Sequence, residues 1–168
     1  MRSSKGVHMF ETKNDLPLGT RTRVVKLLNE RLADAIDLGT QSKHAHWNVK
    51  GPNFIALHEL FDKVAESIED HIDTIAERAT ALGGTAHGTL AAVARATSLK
   101  PYPHNITEGT AHLKALSAAV AALGTKVRAA IAEADALGDA DTADLFTGIS
   151  RDLDKQLWFL EAHLHAKR

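Results

Sequence analysis

Apolar side chains recur at helical spacing along almost the whole chain, and that regularity leaves few folds open. Val24, Leu27, Leu28, Leu32 and Ile36 form one stripe, and Phe54, Leu57, Phe61, Val64, Ala65, Ile68, Ile72, Ile75 and Ala79 a second. Leu113, Leu116, Val120, Leu123, Val127 and Ile131 form a third, and Leu145, Ile149, Leu153, Leu157, Leu160 and Leu164 a fourth. Steps of three and four place such positions on one helix face, whereas a half-buried strand alternates in twos. Gly51-Pro52, Gly83-Gly84 and Gly138 separate the stripes. The second stripe reads as one unbroken helix from Asn53 to Leu82. Asn105 with Glu108 has the spacing of a capping pair for the third long helix, and Asp139 and Asp141 suit the cap of the fourth.

The first two long helices are joined by a few residues and are expected to pack antiparallel, as are the last two. Between the pairs runs Thr85 to His104, with Pro101 and Pro103 and room for a short helix over Thr89 to Ala96. A crossover that long lets the third helix start far from where the second ends. The expectation is therefore all-α: a ferritin-like four-helix bundle whose long crossover contains a short helix. One domain is expected over residues 1–168, with a tail over 1–16 and a frayed end over 160–168. Its 168 residues suffice for a sizeable core. A net charge of −1 supplies no bulk polycation for nucleic acid, and the absence of cysteine excludes disulfides and thiolate metal sites. No apolar run is expected to reach the roughly 20 residues of a membrane span, and the N-terminus lacks the apolar region of a secretory signal. A cytoplasmic location, with no membrane partner, is the expectation.

The second helix carries the chemistry. His58 and Asp62 are four residues apart, as are Asp73 and Glu77, so each pair shares a face. All four fall within an arc of roughly 100°. The pairs are eleven residues apart, roughly 16 Å along the axis, so no single metal ion touches both within one chain. The four positions mirror one another about a point between Ser67 and Ile68. Two copies of the helix crossing antiparallel on a two-fold axis there would set His58 against the other copy's Glu77, and Asp62 against its Asp73. Each dimer would hold two identical sites built from both subunits. His46, near the end of the first helix, is brought back beside His58 by the Gly51-Pro52 turn. Carboxylates with one or two imidazoles suit iron and tolerate manganese or zinc. Glu66 and Glu69 share the same mirror, so facing acids call for cations between them.

Simpler readings compete. Acidic residues on an amphipathic helix are usually a solvated face, which accounts well for Asp73 and Glu77 taken alone. His44, His71, His87, His104, His112, His163 and His165 have no partner pattern and read as surface or structural residues. His58-Glu59-Leu60-Phe61-Asp62 approaches the zinc-protease pattern H-E-x-x-H. The second histidine is missing, however, and no sheet is expected to shape a cleft. Glu59 also points away from the core face. Glu-x-x-His, the di-iron bundle motif, is absent, so a site between subunits is more natural than one inside a bundle.

The run from His46-Trp47-Asn48 through Gly51-Pro52-Asn53 to His58-Glu59-Leu60-Phe61-Asp62 resembles the signature of the Dps family, the DNA-binding proteins from starved cells. The likeness continues through Asp70-His71-Ile72-Asp73 and Ile75-Ala76-Glu77-Arg78. It resumes at Ser150-Arg151-Asp152-Leu153 and Trp158-Phe159-Leu160-Glu161, covering the chain from about Phe10 onward. The resemblance implies a hollow shell of twelve four-helix subunits. Iron(II) would be oxidised at sites on the two-fold interfaces, usually by hydrogen peroxide, and ferric mineral stored inside. Carried over residue by residue, it assigns His46, His58 and Asp62 to one subunit's half of a ferroxidase site and Asp73 and Glu77 to the neighbour's.

Around that set, Trp47 and Trp158 are candidates to accept an oxidising equivalent, with ordinary packing the alternative. Lys43 is a candidate for a salt bridge at the two-fold interface. Asp139, Asp141 and Asp144 cluster where the fourth helix begins. In a Dps-like shell that end lies near a three-fold axis, which makes Asp144, with Asp139, a candidate lining of an iron channel; helix capping is the simpler account. The tails offer Arg2, Lys5 and Lys13 against Glu11 and Asp15, and Lys167 and Arg168 with His163 and His165. Twelve copies would add avidity, so weak DNA binding and nucleoid association stay open, although the near-neutral charge argues against binding at physiological salt. Three classes follow: a ferroxidase and iron store, a nucleoid-compacting DNA-binding protein, and a cage that sequesters zinc or another metal without redox turnover.

Overall fold

The computed structural model describes residues 8–165, and five helices account for most of them. Helix α1 spans Leu18–Asn48, α2 Phe54–Ala81, α3 Leu90–Ala96, α4 Gly109–Ala136 and α5 Ala140–Ala162. Among the described residues there is no strand, only one isolated bridge between Lys50 and Glu108. Helices α1 and α2 form one tight pair and α4 and α5 the other, with α1 also packed on α4 and α2 on α5. The four stripes meet in a single core in which Leu28, Leu32, Phe61, Ile68, Leu116, Leu123, Phe146 and Leu153 are fully buried. Each such side chain contributes roughly 1.5–3 kcal/mol relative to exposure.

Turn chemistry sets the helix limits. Gly51 closes the α1–α2 turn at φ 116°, a backbone conformation that other residues rarely adopt. Lys50 N–H then donates to Thr107 O at 2.8 Å, tying this turn to the approach to α4. At the far end of α2, a Cβ on Gly84 would overlap Val25, so the chain passes α1 closely only because no side chain is there. The crossover lies along α1. The fully buried Asp34 accepts from Ser98 N–H at 2.7 Å and pairs with Arg31 at 2.9 Å, and Thr97 Oγ1 donates to Asp37 at 2.7 Å.

Several expectations are corrected. Helix α4 begins at Gly109, and Glu108 sits at its N-cap without a side-chain hydrogen bond, so Asn105 and Glu108 make no capping box. Asp139 caps α5, accepting from Thr142 N–H at 3.0 Å; Asp141 does not cap and is exposed. Residues 8–16, expected as tail, are held down: Phe10 N–H donates to Gly83 O at 2.7 Å, and Met9 and Leu16 pack on the core. At the other end, α5 continues to Ala162 with Leu160 fully buried. Helix α4 is long and apolar enough, by length and composition, to cross a membrane. Alanines account for that, and its larger side chains Leu113, Leu116, Val120, Leu123 and Val127 are buried in the bundle. Phe54, placed in the second stripe, is 43 % exposed at the start of α2.

Candidate metal centre

The α1–α2 turn brings His46 and His58 face to face. Their rings stack with centroids 3.7 Å apart and an interplanar angle of 22°. His46 Nδ1 lies 2.7 Å from the carbonyl oxygen of His58, and His58 Nδ1 lies 2.8 Å from that of His46. A carbonyl only accepts, so each Nδ1 carries the hydrogen. This reciprocal pair fixes both tautomers and leaves both Nε2 lone pairs free for a metal ion. Asp62, one turn along α2 from His58, brings its Oδ1 to 3.9 Å from His46 Nδ1.

Lys43 Nζ donates to Asp62 within the same chain. That hydrogen bond holds the Asp62 carboxyl below the usual carboxylate range, against burial, with help from the positive charge of Lys43. An arriving cation thus meets a carboxylate already ionised, and one it must share with an ammonium group.

Asp73 and Glu77 are not drawn into this cluster. Both are exposed on α2, and among the described residues neither side chain takes part in a hydrogen bond or ion pair. No three His, Asp or Glu side chains among the described residues are placed to hold a metal within one chain. Beside Asp62, an open groove of about 700 Å³ runs between α1 and α2, lined by Ile36, Lys43, Trp47, Glu66, Glu69 and Ile72. Trp47 is 68 % exposed at its edge, while Trp158 is 64 % exposed on α5 and stacks obliquely on Phe159.

At the start of α5 the acids divide. Asp139 is buried, accepts from Thr142 Oγ1 at 2.6 Å and pairs with Arg78 at 2.7 Å. Its oxygens are committed, which removes it as a channel residue. Asp144 is exposed. Of the tail cations, Arg2, Lys5, Lys167 and Arg168 lie outside the described residues.

Two groupings escaped the sequence reading because they join distant elements. Asp152 on α5 accepts from Ser67 and lies 3.0 Å from His71 Nε2, both on α2. Burial pushes the Asp152 carboxyl up, but the hydrogen bonds from Ser67 and His71 outweigh it and leave it below the usual range. Secondly, the crossover sets Tyr102 Oη 2.8 Å from Nδ1 of the fully buried His112, with the His44 ring against the Tyr102 edge at 5.3 Å. A lone tyrosine between two prolines was the only hint in the sequence.

A closed helical bundle with a crossover along α1, and with carboxylates and histidines displayed at one edge, is the ferritin-like class. The ferritin-like domain model matches residues 25–168. The chain is 52 % identical over 157 residues to the DNA protection during starvation protein of Agrobacterium fabrum, covering 94 % of this chain and 97 % of that one. Its structure is similar to DpsC from Streptomyces coelicolor, with a TM-score of 0.90 and 34 % identity over 96 % of this chain and 94 % of that one. It is also similar to Dps from Microbacterium arborescens in the high iron form, with a TM-score of 0.83 and 31 % identity over 95 % of this chain and 100 % of that one. The chain belongs to the Dps family. A hollow-shell assembly is consistent with that membership.

Proposed function

We propose that this protein is a ferroxidase and iron store which protects DNA from oxidative damage. Twelve subunits form the shell, and each two-fold interface holds two sites: His46, His58 and Asp62 from one subunit, with Asp73 and Glu77 from its neighbour. The observation that carries this reading is the reciprocal His46–His58 pair, which engages both Nδ1 atoms with carbonyls and leaves Nε2 as the ligating atom of a set incomplete in one chain. The exposed, unpaired Asp73 and Glu77 are the complement demanded by the mirrored spacing on α2. Oxygen-rich ligands favour iron(III) over iron(II), so binding at the site lowers the barrier to oxidation, and they admit zinc or manganese as competitors. Hydrogen peroxide is the preferred oxidant, two iron(II) ions being oxidised per peroxide reduced to two hydroxides. The iron-loaded state named for the Microbacterium arborescens relative, and the protective role named for the Agrobacterium fabrum relative, support the reading.

Subunit mixing tests it. His46→Ala/His58→Ala and Asp73→Ala/Glu77→Ala shells should each lose rapid iron(II) oxidation. In shells mixed at random from equal amounts of the two, about a quarter of the sites are intact, because each mixed two-fold pair assembles one complete site. Stopped-flow oxidation with peroxide and with oxygen should show that fraction of the unmutated rate. Mixed shells verified by mass that give no turnover would overturn the shared site.

A further inference from the structure

Tyr102 and His112 form a buried polar pair that the iron site does not use. Tyr102 is the only tyrosine in the chain and is 7 % exposed; His112 is fully buried, and among the described residues its Nε2 has no hydrogen-bond partner. Packing alone does not account for such a pair, because two apolar rings would fill the same space without stranding a polar atom. Among the described residues the phenol has no other acceptor, so its O–H donates to His112 Nδ1 at 2.8 Å. The pair packs against both helices that carry the proposed metal ligands. The His44 ring, two residues before His46 on α1, lies 5.3 Å from the Tyr102 ring. Phe61, next to Asp62 on α2, lies 6.2 Å from His112.

From this geometry we infer that Tyr102 is a reversible one-electron donor to the iron site, with His112 as its proton acceptor. The inference rests on the ferroxidase reading above. One iron(II) reduces hydrogen peroxide to hydroxide and hydroxyl radical. That radical takes one electron from Tyr102 and becomes a second hydroxide, while the phenol proton moves to His112 Nδ1. A neutral phenoxyl and an imidazolium remain. A second iron(II) then returns an electron to the phenoxyl and becomes iron(III), and the proton moves back from His112. The sum is two iron(II) oxidised and one peroxide reduced to two hydroxides, with no radical released. Burial suits both partners to this exchange. It raises the phenol well above its ordinary range, so Tyr102 gives up its proton only on oxidation. Burial, aided by the charge of His44, lowers His112, so the imidazole is neutral and ready to accept.

The test is freeze-quench paramagnetic resonance of shells mixed with iron(II) and peroxide, with ferric absorbance read on the same samples. Because Tyr102 is the sole tyrosine, ring-deuterated tyrosine assigns its radical uniquely. The expected result is a radical whose hyperfine structure collapses on deuteration. It should be lost in Tyr102→Phe, and hydroxyl-radical adducts of a spin trap should rise there while ferric product still forms. A second arm uses iron-free shells oxidised by azide radical: phenoxyl should form more slowly in heavy water, and still more slowly in His112→Phe, which keeps a ring in the core. Ferric product without a deuterium-sensitive radical overturns the proposal, as does phenoxyl formation unchanged by His112→Phe. Absence of ferric product in the unmutated shell instead removes the ferroxidase reading, and with it the iron-linked role of Tyr102.

Discussion

The two ends of α2 carry ligand types of the same chemistry but are built in opposite ways. At its start, His58 and Asp62 are organised by their own chain: ring stacking, two side-chain-to-carbonyl hydrogen bonds and the Lys43 contact fix their positions before any metal arrives. Toward its end, Asp73 and Glu77 stand in solvent with nothing to orient them. In the proposed site the preorganised half would set position, and the exposed half would supply negative charge from a second subunit. Preorganisation of one half would limit the entropy lost on binding.

That contrast breaks if the halves respond alike to mutation. Replacing both His46 and His58 by Ala should abolish iron oxidation and also destabilise the subunit, by roughly 1–3 kcal/mol for the partly buried His46 carbonyl left without a donor. Replacing Asp73 by Asn and Glu77 by Gln should abolish oxidation equally but leave stability within about 0.5 kcal/mol, as for surface changes generally. Thermal unfolding of the two variants, read beside stopped-flow oxidation, decides it. Equal loss of stability would mean that Asp73 and Glu77 are structural.

Next in size is the α2–α5 corner. Asp139→Asn leaves Arg78 facing a neutral amide where a buried carboxylate sat 2.7 Å away, and should cost about 3 kcal/mol in denaturant unfolding. A loss under about 0.5 kcal/mol would return Asp139 to the channel.

A smaller effect is expected where α2 meets α5 at Asp152. Its carboxyl lies below the ordinary range when folded, so its stabilising contribution is fully present above the unfolded value of about 3.9 and is lost as pH falls through the lowered folded value. His71→Leu removes one of the hydrogen bonds that lower it. The acid-unfolding midpoint should then move to higher pH, by a fraction of a pH unit. No movement would mean that Ser67, Gln156 and Lys155 hold the carboxylate without His71.

What the sequence made legible follows from the range of the interactions. Four helices, the crossover and the mirrored pairs on α2 all rest on period and local spacing, which a linear chain displays directly. The return of His46 to His58 was also legible, because only a short turn separates them. The intrachain contact of Lys43 with Asp62 was not legible, since nothing in its spacing distinguishes an acid across the α1–α2 pair from one across a subunit boundary. Asp139 was given to a channel because burial is not visible in a run of acids; its partner Arg78 lies on another helix. Tyr102 and His112 meet only because the crossover folds back on α4, and no local pattern encodes that.

The smallest predicted effect concerns Asp144, the acid of that run left exposed when Asp139 is committed to Arg78 and Thr142. Capping no longer accounts for it, since Asp139 already caps α5 and Asp144 sits beyond the first turn. Near a three-fold axis of the shell, three copies would raise the local concentration of divalent cations at the mouth of a channel, an effect of field rather than of bonding. Asp144→Asn keeps the size and removes the charge. It should slow iron(II) uptake at low ionic strength and have little effect at high salt, where the Debye length falls to about 3 Å at 1 M. The His46, His58 and Asp62 cluster should be untouched, so the oxidation rate at saturating iron stays unchanged and only its dependence on iron concentration shifts. An uptake rate unaltered at low salt in an intact shell would leave Asp144 as a solvated residue on α5. A fall in the saturated rate would instead place its effect at the metal centre.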